Sequence, residues 1–166
     1  MTFDLRPVTP SDNAFLLNLF GATKKRELDY TTLNKAQRQA FVNSQYKARK
    51  VHYEEFFADA EDAVIIVENR KIGRLCLCQT DEELRIIILE LHPKYMKKEL
   101  RQMMMNFIEQ KGVDANIPVR VQVEKLSQWL DFMLERGYQK TDSTDTHFHL
   151  ELLPTSVSVD VSPAES

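Results

Sequence analysis

The feature that most constrains what this chain can fold into lies between Leu84 and Gln110. Leu84–Leu91 reads as an apolar strand, His92-Pro93 breaks it, and a helix follows from about Lys97 to Gln110. A helix whose N-terminus faces the end of a strand is a common place to hold a phosphate: its first amides lack intrahelical acceptors, and its dipole favours negative charge. Lys94, Lys97 and Lys98 sit in that junction, and no glycine does. Ile117 to Val123 reads as the next strand. Joined to Leu84–Leu91 through one helix, it is expected to lie parallel to it by a right-handed crossover.

The 166 residues are read as one domain, 1–153, with a flexible tail, 154–166, that is rich in Ser, Val and Pro and has no helical period. At 43% hydrophobic and 28% charged residues the chain has the composition of a soluble globular protein. A net charge of -3 offers no broad basic face, so neither nucleic acid nor an anionic membrane is expected as a partner. No apolar run is long enough to span a bilayer, and MTFDLRPVTP lacks the apolar core of a signal peptide, so a cytoplasmic location is expected. Cys76 and Cys78 stand two apart in a strand, on one face, poorly placed to bridge each other and without matching ligands for a metal.

Phe3 to Val8 reads as a short first strand, at an edge because of Pro7. Thr9-Pro10-Ser11-Asp12 opens a helix that buries Phe15, Leu16, Leu19 and Phe20 and stops at Gly21. A second helix, about Asn34 to Phe57, places Ala36, Ala40, Phe41, Ala48, Val51 and Phe56 near one face. Gln37, Gln45, Tyr46, His52 and Tyr53 are either the rim of a surface helix or a substrate wall. Ala63–Glu68 and Lys71–Gln79 form a hairpin turned at Asn69-Arg70, and Leu84–Leu91 extends the meander. The helix after Pro93 buries Leu100, Met103, Met104, Phe107 and Ile108 and closes at Gly112. Ser127 caps a further helix that reaches Arg136 and ends at Gly137-Tyr138, and Thr146–Leu152 is the last strand. The order β-α-α-β-β-β-α-β-α-β gives a mixed α/β sheet with helices on both faces.

Several pieces in this order resemble the GNAT superfamily of acetyl-CoA-dependent N-acetyltransferases. They are Leu5-Arg6-Pro7-Val8-Thr9 with the helix after it, Val64 to Leu77 with Lys71-Ile72-Gly73-Arg74 inside, and Leu89–Pro93 with its helix. Val121-Gln122-Val123-Glu124 and Leu134-Glu135-Arg136-Gly137-Tyr138 complete the set. The resemblance covers roughly residues 3–152. It implies a mixed, mostly antiparallel central sheet with a parallel splayed pair in the middle. It also implies that the pantetheine of acetyl-CoA lies along the first strand of that pair, at Leu89 and Leu91. The pyrophosphate would meet the loop Met96-Lys97-Lys98-Glu99-Leu100-Arg101. In the family that loop is Gln/Arg-x-x-Gly-x-Gly/Ala, so Met96, Glu99 and Arg101 all depart from it. Binding of acetyl-CoA is weakened or lost to the extent that Lys97, Lys98 and Arg101 fail to replace the glycine-opened amides.

The chemistry implied is attack of an amine on a thioester, which needs a base, a donor to the carbonyl oxygen and an acid for the thiolate. The family's usual tyrosine falls on Met133 and its usual asparagine on Leu126. The candidate bases are Glu90, set among apolar neighbours or paired with a Lys or Arg, and Glu124 at the end of its strand. His147 and His149 lie on the polar face of the last strand, and no metal site is expected. Two readings stay open. The first is an acyltransferase acting on the amine of a small molecule or peptide, with a homodimer allowed. The second is a catalytically inactive GNAT-fold binding or regulatory protein.

Overall fold

The computed structural model describes residues 2–154. The tail read for 154–166 lies, past Pro154, outside the described residues. The strands are β1 (Asp4–Pro7), β2 (Glu61–Val67), β3 (Arg70–Gln79), β4 (Leu84–Leu91), β5 (Val119–Glu124), β6 (Gln139–Ser143) and β7 (His147–Leu152). The helices are α1 (Asn13–Leu28), α2 (Lys35–Phe56), α3 (Lys98–Ala115) and α4 (Trp129–Glu135). One seven-stranded sheet runs in the order β1-β2-β3-β4-β5-β7-β6. The β4 and β5 strands pair in parallel through Leu84↔Val119, Arg85↔Arg120 and Ile86↔Val121, as a single helical crossover requires. The β1–β2, β5–β7 and β6–β7 pairs are antiparallel.

The chain divides into two compact units. One holds the chain up to Cys76 together with Ile88–Leu100, and the other holds Leu77–Ile87 together with the chain from Arg101.

In the first unit, β2 and β3 are turned at Glu68-Asn69, one residue earlier than the hairpin read from the sequence. Both turn residues take positive φ (51° and 64°), the twist that a two-residue hairpin needs. The α1 helix does not stop at Gly21 but runs to Leu28. A side-chain methyl at Gly21 would meet Val42 Cγ1 at 3.4 Å, so the residue marks where α1 and α2 approach each other. Phe20, Leu28 and Val42 form a cluster there, with Leu17, Leu33, Phe41 and Tyr46 packed on it.

The inner face of α2 is not the one expected. Ala36, Ala40 and Ala48 are exposed, as are Val51 (56%) and Phe56 (62%). Arg38, Val42, Tyr46, Arg49 and Tyr53 face the protein instead. The alanines are too small to bury much area. The aromatic and arginine row offers more apolar surface and has ion-pair partners below it.

In the second unit, α3 runs through Gly112 to Ala115. A Cβ at Gly112 would sit 3.0 Å from Val119 Cγ2 and 3.1 Å from the Ile117 carbonyl, so the glycine permits close packing rather than ending the helix. The stop is Asn116, at φ 56°. There the Ile117 N–H bonds the Gly112 carbonyl and the Asn116 N–H bonds the Val113 carbonyl, the pairing of a left-handed helix cap. The α4 helix ends the same way at Gly137, as the sequence indicated. Strand β6 was not anticipated: Gln139–Ser143 is exposed at every position, so no apolar alternation betrays it. Among the described residues no helix is long and apolar enough to cross a membrane, and no cluster of His, Cys, Asp and Glu is placed to hold a metal ion.

Candidate active site at the end of β4

The alternation of β4 buries Ile86 and Ile88, and Glu90 continues the same series. The carboxylate does not stand alone in this apolar row. Its Oε2 accepts from Arg49 Nη1 at 2.9 Å and its Oε1 from Arg49 Nη2 at 3.3 Å. The guanidinium of Arg49 also lies over the Phe20 ring, 4.5 Å from its centroid, and near Tyr46. Of the two environments the sequence left open for Glu90, the ion pair is the one present.

One turn along α2, Tyr53 reaches Arg74 of β3. Arg74 is 2% exposed and gives Nε and Nη2 to the two oxygens of Asp62 at 3.0 and 2.7 Å, with Nη2 also bonded to the Tyr53 hydroxyl at 2.7 Å. Burial works against its charge, but the Asp62 carboxylate outweighs this and holds the guanidinium above its usual pKa. Burial also raises the pKa of Tyr53, while Arg74 opposes the rise. The positions of β3 and β4 are fixed by the His92 N–H bond to the Ile72 carbonyl, and by Gly73, where any Cβ would run into the Glu90 carbonyl.

Past Leu91 the chain makes a 3-10 turn, Pro93–Tyr95, in which His92 Nδ1 accepts the Lys94 N–H. His92 is therefore fixing the loop. Leu89 is half-buried and Leu91 buried. Met96 is half-buried, Lys97, Lys98 and Glu99 are exposed, and Leu100 is 1% exposed as the first core residue of α3. Helix α3 begins at Lys98, so the amides of its first turn are the ones without intrahelical acceptors.

The remaining candidates lie in the second unit. Arg101 donates Nη1 to the Gln128 carbonyl at 3.1 Å, and its guanidinium lies 4.6 Å from the Phe132 and 5.8 Å from the Trp129 ring centroids. It is committed to α4 and the turn before it. Glu124 is half-buried at the end of β5, opposite His147, and its carbonyl accepts the Ser127 N–H. His147 Nδ1 shares a hydrogen bond with Thr146 Oγ1 at 2.7 Å. Met133 is buried and Leu126 is 82% exposed. Neither side chain can transfer a proton.

Sequence reasoning missed Arg49. The signal was present, because Val42, Tyr46, Arg49 and Tyr53 repeat at spacings of four, three and four. The alanine series on the adjoining face drew the assignment away.

No protein-family model matches the sequence, and no curated protein does. Solved structures do match. The chain is similar to the PaiA N-acetyltransferase of Thermoplasma acidophilum in complex with coenzyme A, at 16% identity and TM-score 0.69, over 92% of this chain and 99% of that one. It is similar to a GCN5-related N-acetyltransferase of Rhodopseudomonas palustris, at 16% identity and TM-score 0.64, over 92% and 96%. It is also similar to a GNAT family acetyltransferase of Elizabethkingia anophelis with acetyl-CoA bound, at 13% identity and TM-score 0.59, over 91% and 97%. With the sheet order and the parallel β4–β5 pair described above, these likenesses show that the chain has the GNAT fold.

Proposed function

We propose that the protein transfers an acetyl or other acyl group from coenzyme A to an amine. The feature that carries this reading is the start of α3, whose first-turn amides have no intrahelical acceptors, beside exposed Lys97 and Lys98 and one short turn after β4. Structures of the same fold hold coenzyme A or acetyl-CoA. The residues fit such a group through backbone donors and two flexible cations. Glu99 opposes it, and Arg101 already has one arm bonded to the Gln128 carbonyl. When bound, acetyl-CoA supplies the activated acyl group as a thioester.

The chain's own residues then have three tasks. The α3 amides with Lys97 and Lys98 hold the pyrophosphate, and the backbone at Leu89 and Leu91 orients the pantetheine. Glu90, 11% exposed at its side chain, takes the proton that the attacking ammonium must lose. Glu124 is the second candidate for that proton. Arg49 holds the Glu90 carboxylate in place until an amine competes for one of its oxygens.

Replacing Glu90 by Gln removes the proton acceptor and keeps the shape. We expect kcat to fall about 100-fold or more, with coenzyme A affinity unchanged. Unaltered turnover would remove Glu90 from the mechanism and leave Glu124.

A second reading has its own observation. Both Glu90 oxygens are occupied by Arg49, and Met133 and Leu126 are inert. In that reading the fold is kept for binding, and neither acyl transfer nor coenzyme A binding is found.

A further inference from the structure

Residues of α1 and α2 line an open groove of about 510 Å³, within the range of about 300–1,000 Å³ that small-molecule sites occupy. Leu17, Gly21, Ala22, Leu28 and Val42 give it apolar surface, and the buried Leu28 and Val42 are its floor. Every charged residue that lines it is a cation: Lys25 and Lys35, both exposed, and the half-buried Arg38. In a chain of net charge -3 this is a local reversal of sign. Asp29, just past α1, meets two of these cations. Its Oδ1 accepts from Arg38 Nη1 at 2.7 Å and its Oδ2 from Lys25 Nζ at 2.9 Å. Arg38 Nε donates to the Leu33 carbonyl at 3.1 Å. That leaves Arg38 Nη2 and Lys35 Nζ without a partner among the described residues. Three apart on α2, Lys35 and Arg38 stand side by side on one helix face, so a single head group can reach both.

We propose that this groove is a binding site for an amphipathic carboxylate, a hydrocarbon body ending in one carboxylate group. The body lies on Leu17, Leu28 and Val42, and the head group sits at the edge, on Lys35 and Arg38. A carboxylate has two acceptor oxygens, which suit a free guanidinium arm and the ammonium beside it. Apolar surface supplies the affinity, and the cations fix which end of the ligand faces solvent. The site needs neither coenzyme A nor Glu90, so it stands or falls apart from acyl transfer.

The test uses the full chain, isotopically labelled at Leu and Val methyl groups, and sodium octanoate below its micelle concentration at constant ionic strength. Octanoate is expected to shift the methyl resonances of Leu17, Leu28 and Val42 to saturation, where acetate, the head group alone, does not. Affinity should rise about threefold per methylene from hexanoate to decanoate. 1-Octanol, the body without the charge, should bind about tenfold more weakly than octanoate. Lys35→Glu reverses the charge at an exposed side chain that holds no partner, so the fold is kept, and octanoate should bind about tenfold more weakly. Ala22→Phe fills the groove and should abolish binding; the variant's own methyl spectrum reports that it is folded.

Methyl shifts no larger with octanoate than with acetate, or unchanged affinity in both variants, would overturn the proposal. Octanol binding as tightly as octanoate would reduce the site to an apolar seat, and octyl phosphate binding more tightly would refute the carboxylate assignment. Shifts of the same methyls with protein concentration, in the absence of ligand, would give the groove to a second copy of the chain. Acyl transfer without octanoate binding would refute this site alone, and octanoate binding without acetyl-CoA binding would refute the acyltransferase reading alone.

Discussion

Asp12 has no exposed surface and keeps its charge because Arg6, Lys71 and Thr9 all donate to it. Arg6 reaches its two oxygens at 2.8 and 3.1 Å, Lys71 reaches Oδ1 at 2.7 Å, and the Thr9 N–H reaches Oδ2 at 2.8 Å. Arg6 above all, then Lys71, holds the carboxyl well below the usual carboxylate range. A depressed folded-state pKa stabilises the fold above the unfolded value of about 3.9, and that contribution is lost as pH falls below it. Asp12→Asn should therefore lower stability by about 2 kcal/mol at neutral pH, and its gap to the parent protein should narrow below about pH 4. Thermal melts across pH check this, and a gap constant with pH would contradict it. The sequence offered Asp12 as a helix-start acid and gave no sign of Lys71, 59 positions away. Arg49 and Glu90 repeat the point, because pairings between distant residues are legible only once the strands are placed.

At the scale of elements, two glycines make opposite predictions for one substitution. Gly73→Ala drives a methyl into the Glu90 carbonyl and towards Leu91 Cδ2 at 2.9 Å, which the paired strands can relieve only by separating. A loss of about 3 kcal/mol is expected, with β4 and its site displaced. At Gly21 the new methyl meets only Val42 Cγ1, beside an open groove of about 510 Å³ that both residues line. Gly21→Ala should gain up to about 1 kcal/mol from helix propensity. Chemical denaturation of both variants measures the signs, and a loss at both positions would show that Gly21 is also a packing residue. Gly21 and Gly112 explain which helix ends the sequence places wrongly. A helix-stopping glycine and a close-packing glycine look alike in sequence, and the neighbours that separate them at Gly21 and Gly112 are remote. The ends at Leu91, Gly137 and the β2–β3 turn were read to within a residue because their signals are local: Pro93, the Gly137-Tyr138 pair and Asn69.

For the whole molecule, the apolar strand, the proline break and the helix after it carried most of the fold. The parallel β4–β5 pair follows from that stretch, and the sheet order observed is that of the fold the motifs resembled. Strand β6 escaped because an edge strand of polar residues has no period to detect, and α2 was turned to the wrong face because its buried row is half polar. For the proposed site, the sequence offered candidate residues but not their contacts. Glu90, Lys97 and Lys98 could be named from the sequence, whereas the Arg49 pair and the commitment of Arg101 to Gln128 could not. The central claim is that the first turn of α3 holds coenzyme A without a glycine. Calorimetric titration of the protein with acetyl-CoA at low salt, with a thermal-shift control, tests it most directly. Micromolar binding and a raised Tm are expected, with weakening when Lys97 and Lys98 are both changed to Ala. Absence of heat and of any Tm change at millimolar acetyl-CoA would contradict it, and would leave the protein with the fold of an acetyltransferase and not its cofactor.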